Sequence, residues 1–261
     1  MEVIIRPNVE KACELVAAII AREVRKKPYL VLGLATGRTM EMVYQQLADY
    51  HNNEGLDFSL TRTFNLDEYI GLEPDNPNSY RYYMNKHLFN KINIDERNTN
   101  LPLGMAEDVE MECRLYEESI KRAGGIDLQL LGIGRAGHIG FNEPLSALRS
   151  RTRAKSLTPI TIAQNSPMFD PPESMPRRAI TMGVGTILES KRVITLVTGE
   201  EKAEILAKSV EGPVTSMISG TALQLHPRCT VIADEAAASL LKERGYYDWI
   251  FQNEPEWEEF R

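Results

Sequence analysis

Three polar clusters carry residue types able to move protons or hold an anion. The densest runs Leu131-Gly132-Ile133-Gly134-Arg135-Ala136-Gly137-His138-Ile139-Gly140-Phe141-Asn142-Glu143-Pro144, with four glycines in fourteen positions and Glu143 five residues after His138. Glycines let the chain turn tightly and pass close to a ligand. An imidazole exchanges protons near pH 7, and a neighbouring carboxylate fixes its tautomer and raises its basicity. The second cluster, Phe64–Tyr69, ends an apolar run in Asp67-Glu68. Alone, such an acidic pair reads as a helix cap or salt bridge. At the end of a buried strand, however, a desolvated Asp67 suits a general base near neutral pH. The third, Leu34–Thr39, places Gly37 where a backbone could approach a ligand. Thr36 and Thr39 supply hydroxyls there, and Arg38 could grip a phosphate bidentately. It matches neither a dinucleotide fingerprint nor a Walker loop, and an ordinary strand-to-helix turn is the plain alternative. His51, His87 and His226 read as structural. No metal-ligand spacing and no serine-nucleophile elbow occurs, which favours proton transfer without a metal.

The chain that must position these groups has 261 residues, 43% hydrophobic and 26% charged, with a formal net charge of −7. Those values suit a globular core and argue against nucleic-acid binding through an overall basic field. Cys13, Cys113 and Cys229 are far apart and read as buried core residues of a reducing compartment. The start, MEVIIRPNVEKACEL, lacks the layout of a secretion signal, and no run approaches a membrane span. The expectation is a cytoplasmic protein with no membrane partner.

Short β-branched runs alternate with longer amphipathic stretches. Strands are expected at Val3–Arg6, Tyr29–Leu34, Arg62–Leu66, Ile126–Ile133, Ala179–Met182, Val193–Thr198 and Thr230–Ala233. Helices are expected after Asn8 as cap, after Thr39 as cap, and over Glu107–Ala123, Glu200–Val210 and Ala236–Arg244. This alternation predicts an α/β fold, a mostly parallel sheet with helices on both faces. Residues 1–244 read as one domain. The aromatic and acidic tail, 245–261, reads as a flap packed on the body or on a neighbouring subunit. Ser166–Arg178, with four prolines, reads as a surface loop or lid. In open parallel sheets ligands collect beyond the carboxyl ends of the strands, and all three polar clusters fall at such ends.

Taken in order, LATGRT, FNLDEYIGL, NPNSY at Asn76–Tyr80, GIGRAGHIGFNEP, SRTR at Ser150–Arg153 and LQLHP at Leu223–Pro227 resemble the glucosamine-6-phosphate deaminase family. The resemblance runs to about Ala238 and implies a modified Rossmann-like fold without a cofactor. It also implies hydrolytic conversion of an amino-sugar phosphate, glucosamine 6-phosphate, to fructose 6-phosphate and ammonia. By position, Asp67 resembles the base that carries the C2 proton to C1. His138 resembles the ring-opening group, Glu143 its carboxylate partner, and Lys202 a phosphate-contacting lysine. Ser146, Arg153 and Lys155 resemble an allosteric site for N-acetylglucosamine 6-phosphate, with an exposed basic strand as the plain alternative. A homo-oligomer, trimer or hexamer, is also implied.

Three positions depart from the family's pattern. Ala136 stands where many members have an aspartate two residues before the histidine. Arg38 replaces a small residue, and Pro167 aligns with a phosphate-binding arginine. Arg38 is therefore expected to supply the guanidinium that Pro167 cannot. Two alternatives stay open: a deaminase or lactonase for another sugar phosphate, and a sugar-phosphate sensor whose catalysis has weakened.

Overall fold

The structure, a computed structural model, describes residues 1–261. Seven strands form a parallel sheet: β1 (Glu2–Arg6), β2 (Val31–Leu34), β3 (Arg62–Asn65), β5 (Thr99–Asn100), β6 (Leu128–Gly132), β9 (Val193–Val197) and β10 (Cys229–Asp234). Their spatial order is β1-β10-β9-β6-β2-β3-β5. From β2 the chain builds outward through β3 to β5. It then returns to the other side of β2 and builds through β6, β9 and β10. The β2–β6 boundary is thus a topological switch point, where loops at the carboxyl ends diverge and leave a crevice.

The helices are α1 (Val9–Lys26), α2 (Arg38–Glu54), α3 (Tyr80–His87), α4 (Val109–Arg122), α5 (Pro159–Asn165), α6 (Val184–Leu188), α7 (Ala203–Glu211) and α8 (Arg244–Asn253). Asn8 caps α1, its side chain accepting the Lys11 N–H, as its residue type predicts. One buried cluster unites the apolar faces of α1, α2, β2, β6, β9 and β10, and the three cysteines are buried and unbridged. No helix is long and apolar enough to cross a membrane.

The structure corrects several expectations. Ala179–Met182 does not join the parallel sheet. Instead β8 (Arg178–Thr181) is the middle strand of an antiparallel sheet with β4 (Asp67–Tyr69) and β7 (Arg153–Ser156). Thr39 is not the cap of α2; Gly37, at φ 136°, turns the chain so that the helix starts at Arg38. The stretch from Ala236 forms turns, because the Asp234 carboxylate accepts the Ala237 N–H at 2.8 Å, and the helix begins only at Arg244. The Glu200–Val210 helix starts with a 3₁₀ turn, Glu200–Lys202, ahead of α7. The proline-rich segment is, as expected, a largely exposed surface loop, anchored at two points. Its Phe169 and Met175 complete a small apolar cluster with Tyr69, Phe141, Leu157 and Ala179.

Candidate active site

Asp67 lies at the seam of the two sheets. The Leu66 N–H donates to Leu34 O of β2, while Leu66 O accepts the Met182 N–H at 2.7 Å, so β4 is pulled out of the parallel sheet directly after β3. Asp67 pairs with Thr181 across the antiparallel ladder. Its side chain is 6% exposed and receives no hydrogen bond from the protein. Burial, with a smaller contribution from the Glu68 charge, pushes its carboxyl up to about 8. Glu68 faces elsewhere and accepts the backbone N–H groups of Tyr69, Tyr80 and Arg81. The two adjacent acids thus have separate tasks: Glu68 binds the start of α3, and Asp67 stays available.

The glycine-rich loop after β6 is pinned beside it. The Gly134 N–H donates to His138 O and the Gly137 N–H to Gly134 O, which closes a tight turn with Arg135 and Ala136 at its corners. The Phe141 N–H donates to Thr181 Oγ1 at 3.0 Å, and Asn142 Nδ2 donates to Met182 O at 2.8 Å. Gly140, at φ 55°, passes so close that a Cβ there would lie 2.9 Å from Thr181 Oγ1 and 3.5 Å from Asp67 Oδ2. Any side chain at 140 would therefore crowd the base. Likewise, a Cβ on Gly134 would come within 2.0 Å of His138 Nε2.

His138 Nδ1 lies 3.1 Å from Glu143 Oε2, which fixes the tautomer with the proton on Nδ1 and leaves Nε2 as the acceptor. Burial alone would raise the Glu143 pKa. Hydrogen bonds from His138, Thr161 and the Thr158 N–H outweigh it and hold the carboxyl down at about 2.

Two glycine turns lie side by side, joined by a threonine pair. Gly37 and Gly199 (φ 93°) open two turns that have no side-chain cap, leaving backbone N–H groups free at the starts of α2 and of the 3₁₀ turn before α7. Thr39 Oγ1 and Thr198 Oγ1 join these turns at 3.1 Å. Tyr83 donates its hydroxyl to Gly37 O at 2.7 Å. Lys202 donates to Ile133 O at 2.8 Å, at the mouth of the His138 loop. Burial lowers the Lys202 pKa; Glu201 opposes this and Arg135 reinforces it. Arg38 is exposed and takes part in no ion pair. Pro167 is also exposed, and Pro159–Pro176 contains no lysine or arginine.

Ser146 and Arg153 are brought together, Arg153 Nη2 donating to Ser146 Oγ at 3.0 Å and Nη1 to Asn142 Oδ1 at 2.9 Å. Lys155 sits two residues along the same edge strand, half-buried. Four residues near the site were not singled out by the sequence: Thr158, Thr161, Tyr69 and Thr198. Only Thr158-Pro159 carried a local signal, that of a capped helix start.

A buried aspartate beside a histidine–carboxylate pair, at a switch point of a mostly parallel sheet, defines an α/β protein with a candidate proton-transfer site. The chain belongs to the glucosamine-6-phosphate isomerase/6-phosphogluconolactonase family, whose profile matches residues 7–231. It is 49% identical over 250 residues to a glucosamine-6-phosphate deaminase of Cellvibrio japonicus, covering 96% of this chain and 95% of the relative. A Rhodopirellula baltica deaminase of the same description is 50% identical over 245 residues, covering 94% and 98%. Among solved structures, a monomeric glucosamine-6-phosphate deaminase superposes with a TM-score of 0.90 at 44% identity, covering 92% of this chain and 100% of that one. A 6-phosphogluconolactonase from Trypanosoma cruzi shares the fold at 18% identity, with a TM-score of 0.74 and coverage of 92% and 97%.

Proposed function

We propose that this chain deaminates glucosamine 6-phosphate to fructose 6-phosphate and ammonia in the cytoplasm. The observation that carries the reading is the buried, unbonded Asp67 carboxylate beside the His138–Glu143 loop. His138 Nε2 moves the proton that opens the pyranose ring. Asp67 then takes the C2 proton while the C1 carbonyl oxygen gains one from solvent, leaving an enolamine, and returns the C2 proton to C1. The product is a C2 imine; water adds to C2 and ammonia leaves, giving the ketose. Thr36, Gly37, Arg38, Thr39 and Lys202 hold the phosphate. Lactone hydrolysis would not require a base able to carry a carbon-bound proton, so Asp67 favours deamination over the lactonase alternative.

Ammonia and fructose 6-phosphate appearing in equal amounts from glucosamine 6-phosphate would support the reading. Thermal stabilisation by that sugar phosphate without turnover would replace it with a sensor. Galactosamine 6-phosphate, assayed in parallel, tests the configuration at C4.

Two variants probe the departures from the family's pattern. Arg38→Ala is expected to raise KM at least about tenfold, because a charge-assisted bidentate contact is lost. An unchanged KM would assign the phosphate to other groups. Ala136→Asp is expected to increase turnover by giving the turn before His138 a second carboxylate. A variant no faster than its parent would show the site working by a different arrangement.

Ser146, Arg153 and Lys155 remain the proposed effector site, and the Arg153–Asn142 bond gives it a path to the residue next to Glu143. Trimer or hexamer is the assembly that the resemblance implies, whereas the relative with a TM-score of 0.90 is described as monomeric. Light scattering distinguishes these by mass.

A further inference from the structure

Each oxygen of Glu143 has a different partner. Oε2 faces His138 Nδ1 at 3.1 Å. Oε1 accepts the Thr161 hydroxyl at 2.5 Å and the Thr158 N–H at 3.2 Å, with Thr158 Oγ1 also 3.2 Å away. Both threonines belong to the start of α5: Thr158 is its cap, and Thr161 lies in its first turn with 3% exposure. Glu143 itself is 1% exposed, so an Oε1 without donors would be a desolvated anionic oxygen free to turn away from the imidazole. Position 136 is alanine and offers His138 no second acid. The histidine's orientation therefore depends on one carboxylate, and that carboxylate depends on α5. The segment running on from α5 is anchored near the base as well. Asn165 Nδ2 donates to Tyr69 Oη at 3.1 Å, and the Phe169 ring meets Tyr69 edge-on at 5.7 Å, two residues from Asp67.

We propose that Thr161, backed by Thr158, is a positioning residue: its hydroxyl holds Glu143 in the rotamer that keeps the His138 proton on Nδ1 and Nε2 free for the sugar. The inference rests on His138 and Glu143 being the proton-moving pair. It adds that the first turn of α5, 18 positions from Glu143, is part of what sets them.

Two substitutions separate this role from packing. Thr161→Val preserves the shape and removes the hydroxyl; Thr161→Ser keeps the hydroxyl and removes the methyl. With glucosamine 6-phosphate, Thr161→Val is expected to lower kcat at least about tenfold with KM within about twofold, as when an interaction serving the transition state is lost. Thr161→Ser should behave like the parent. Parent-like kinetics in Thr161→Val, or equal impairment in Thr161→Ser, would overturn the proposal.

Imidazole ¹⁵N shifts of His138 in the unliganded protein give a readout that needs no turnover. A single Nδ1–H tautomer in parent and Thr161→Ser, lost in Thr161→Val, is the expected pattern; no change in Thr161→Val would overturn the positioning role. An inactive parent that showed the expected shifts would instead remove the deaminase reading and leave the positioning intact.

Discussion

Asp67→Asn is expected to abolish ammonia release from glucosamine 6-phosphate while giving a protein that melts higher than its parent. The two effects have one cause. Burial pushes the Asp67 carboxyl up to about 8, with Glu68 adding to the shift, and nothing in the protein donates to it. A carboxamide keeps the volume but cannot take a carbon-bound proton, so activity should fall by about three orders of magnitude, within the range assigned to general bases. The stability effect has a definite pH window. A carboxyl whose pKa is raised on folding favours the folded state fully below about pH 4, and that contribution is lost as pH rises through about 8. Asparagine is indifferent to this. The melting temperature of Asp67→Asn should therefore exceed the parent's by a margin that widens from pH 5 to pH 8, corresponding to a few kcal/mol, on the order of several pKa units. In the parent, kcat/KM should climb through about pH 8 as Asp67 ionises. Differential scanning at several pH values with a coupled ammonia assay measures both. Substantial residual activity, or a melting difference flat with pH, would place the base elsewhere.

Much of this candidate site is legible because its residues fall at strand ends. Asp67, His138, Glu143 and the Thr36–Thr39 turn each follow a β-branched or apolar run, and the runs themselves are the strands of the main sheet. The sequence did not distinguish β8 from the parallel strands. Ala179–Ile180–Thr181 is as apolar and β-branched as its parallel counterparts, and the direction of pairing comes from Leu66 binding Met182, a long-range contact. The turn after Asp234 reads as a helix because Ala236–Ala238 have high helix propensity, whereas the Asp234 side chain competes for the Ala237 N–H. Thr161 was invisible for a third reason: its partner is 18 positions away and its helix lies in a stretch dominated by proline signals. Local chemistry can announce a candidate acid, but not a hydroxyl bonded to it from 18 positions away.

The tail shows the same limit, and it supports the largest stability prediction. Its lack of period concealed an anchor: Trp257 is 0% exposed and belongs to the main core. Around it, α8 packs on β1, Arg6 covers the Phe251 ring at 5.3 Å, and Arg192 lies 5.7 Å from the Trp257 ring while pairing with Glu256 at 2.8 Å. Arg22 reaches Glu259 at 2.5 Å and stacks over Phe260 at 4.7 Å. Each of these ion pairs joins a largely buried guanidinium to a glutamate open to solvent, so the burial of the indole dominates. Trp257→Ala should therefore cost about 3–5 kcal/mol, a large part of the roughly 5–15 kcal/mol that holds a typical domain folded. Trp257→Phe should cost far less, because it keeps most of the apolar surface and the indole Nε1 makes no hydrogen bond here. Denaturant titration checks the order. Since the tail packs at β1, at the edge of the sheet, and the site lies at the β2–β6 boundary, kcat of the folded fraction should match the parent at low temperature. A Trp257→Ala protein as stable as its parent would mean that the tail is peripheral, whereas lost turnover in a fully folded variant would tie it to the site.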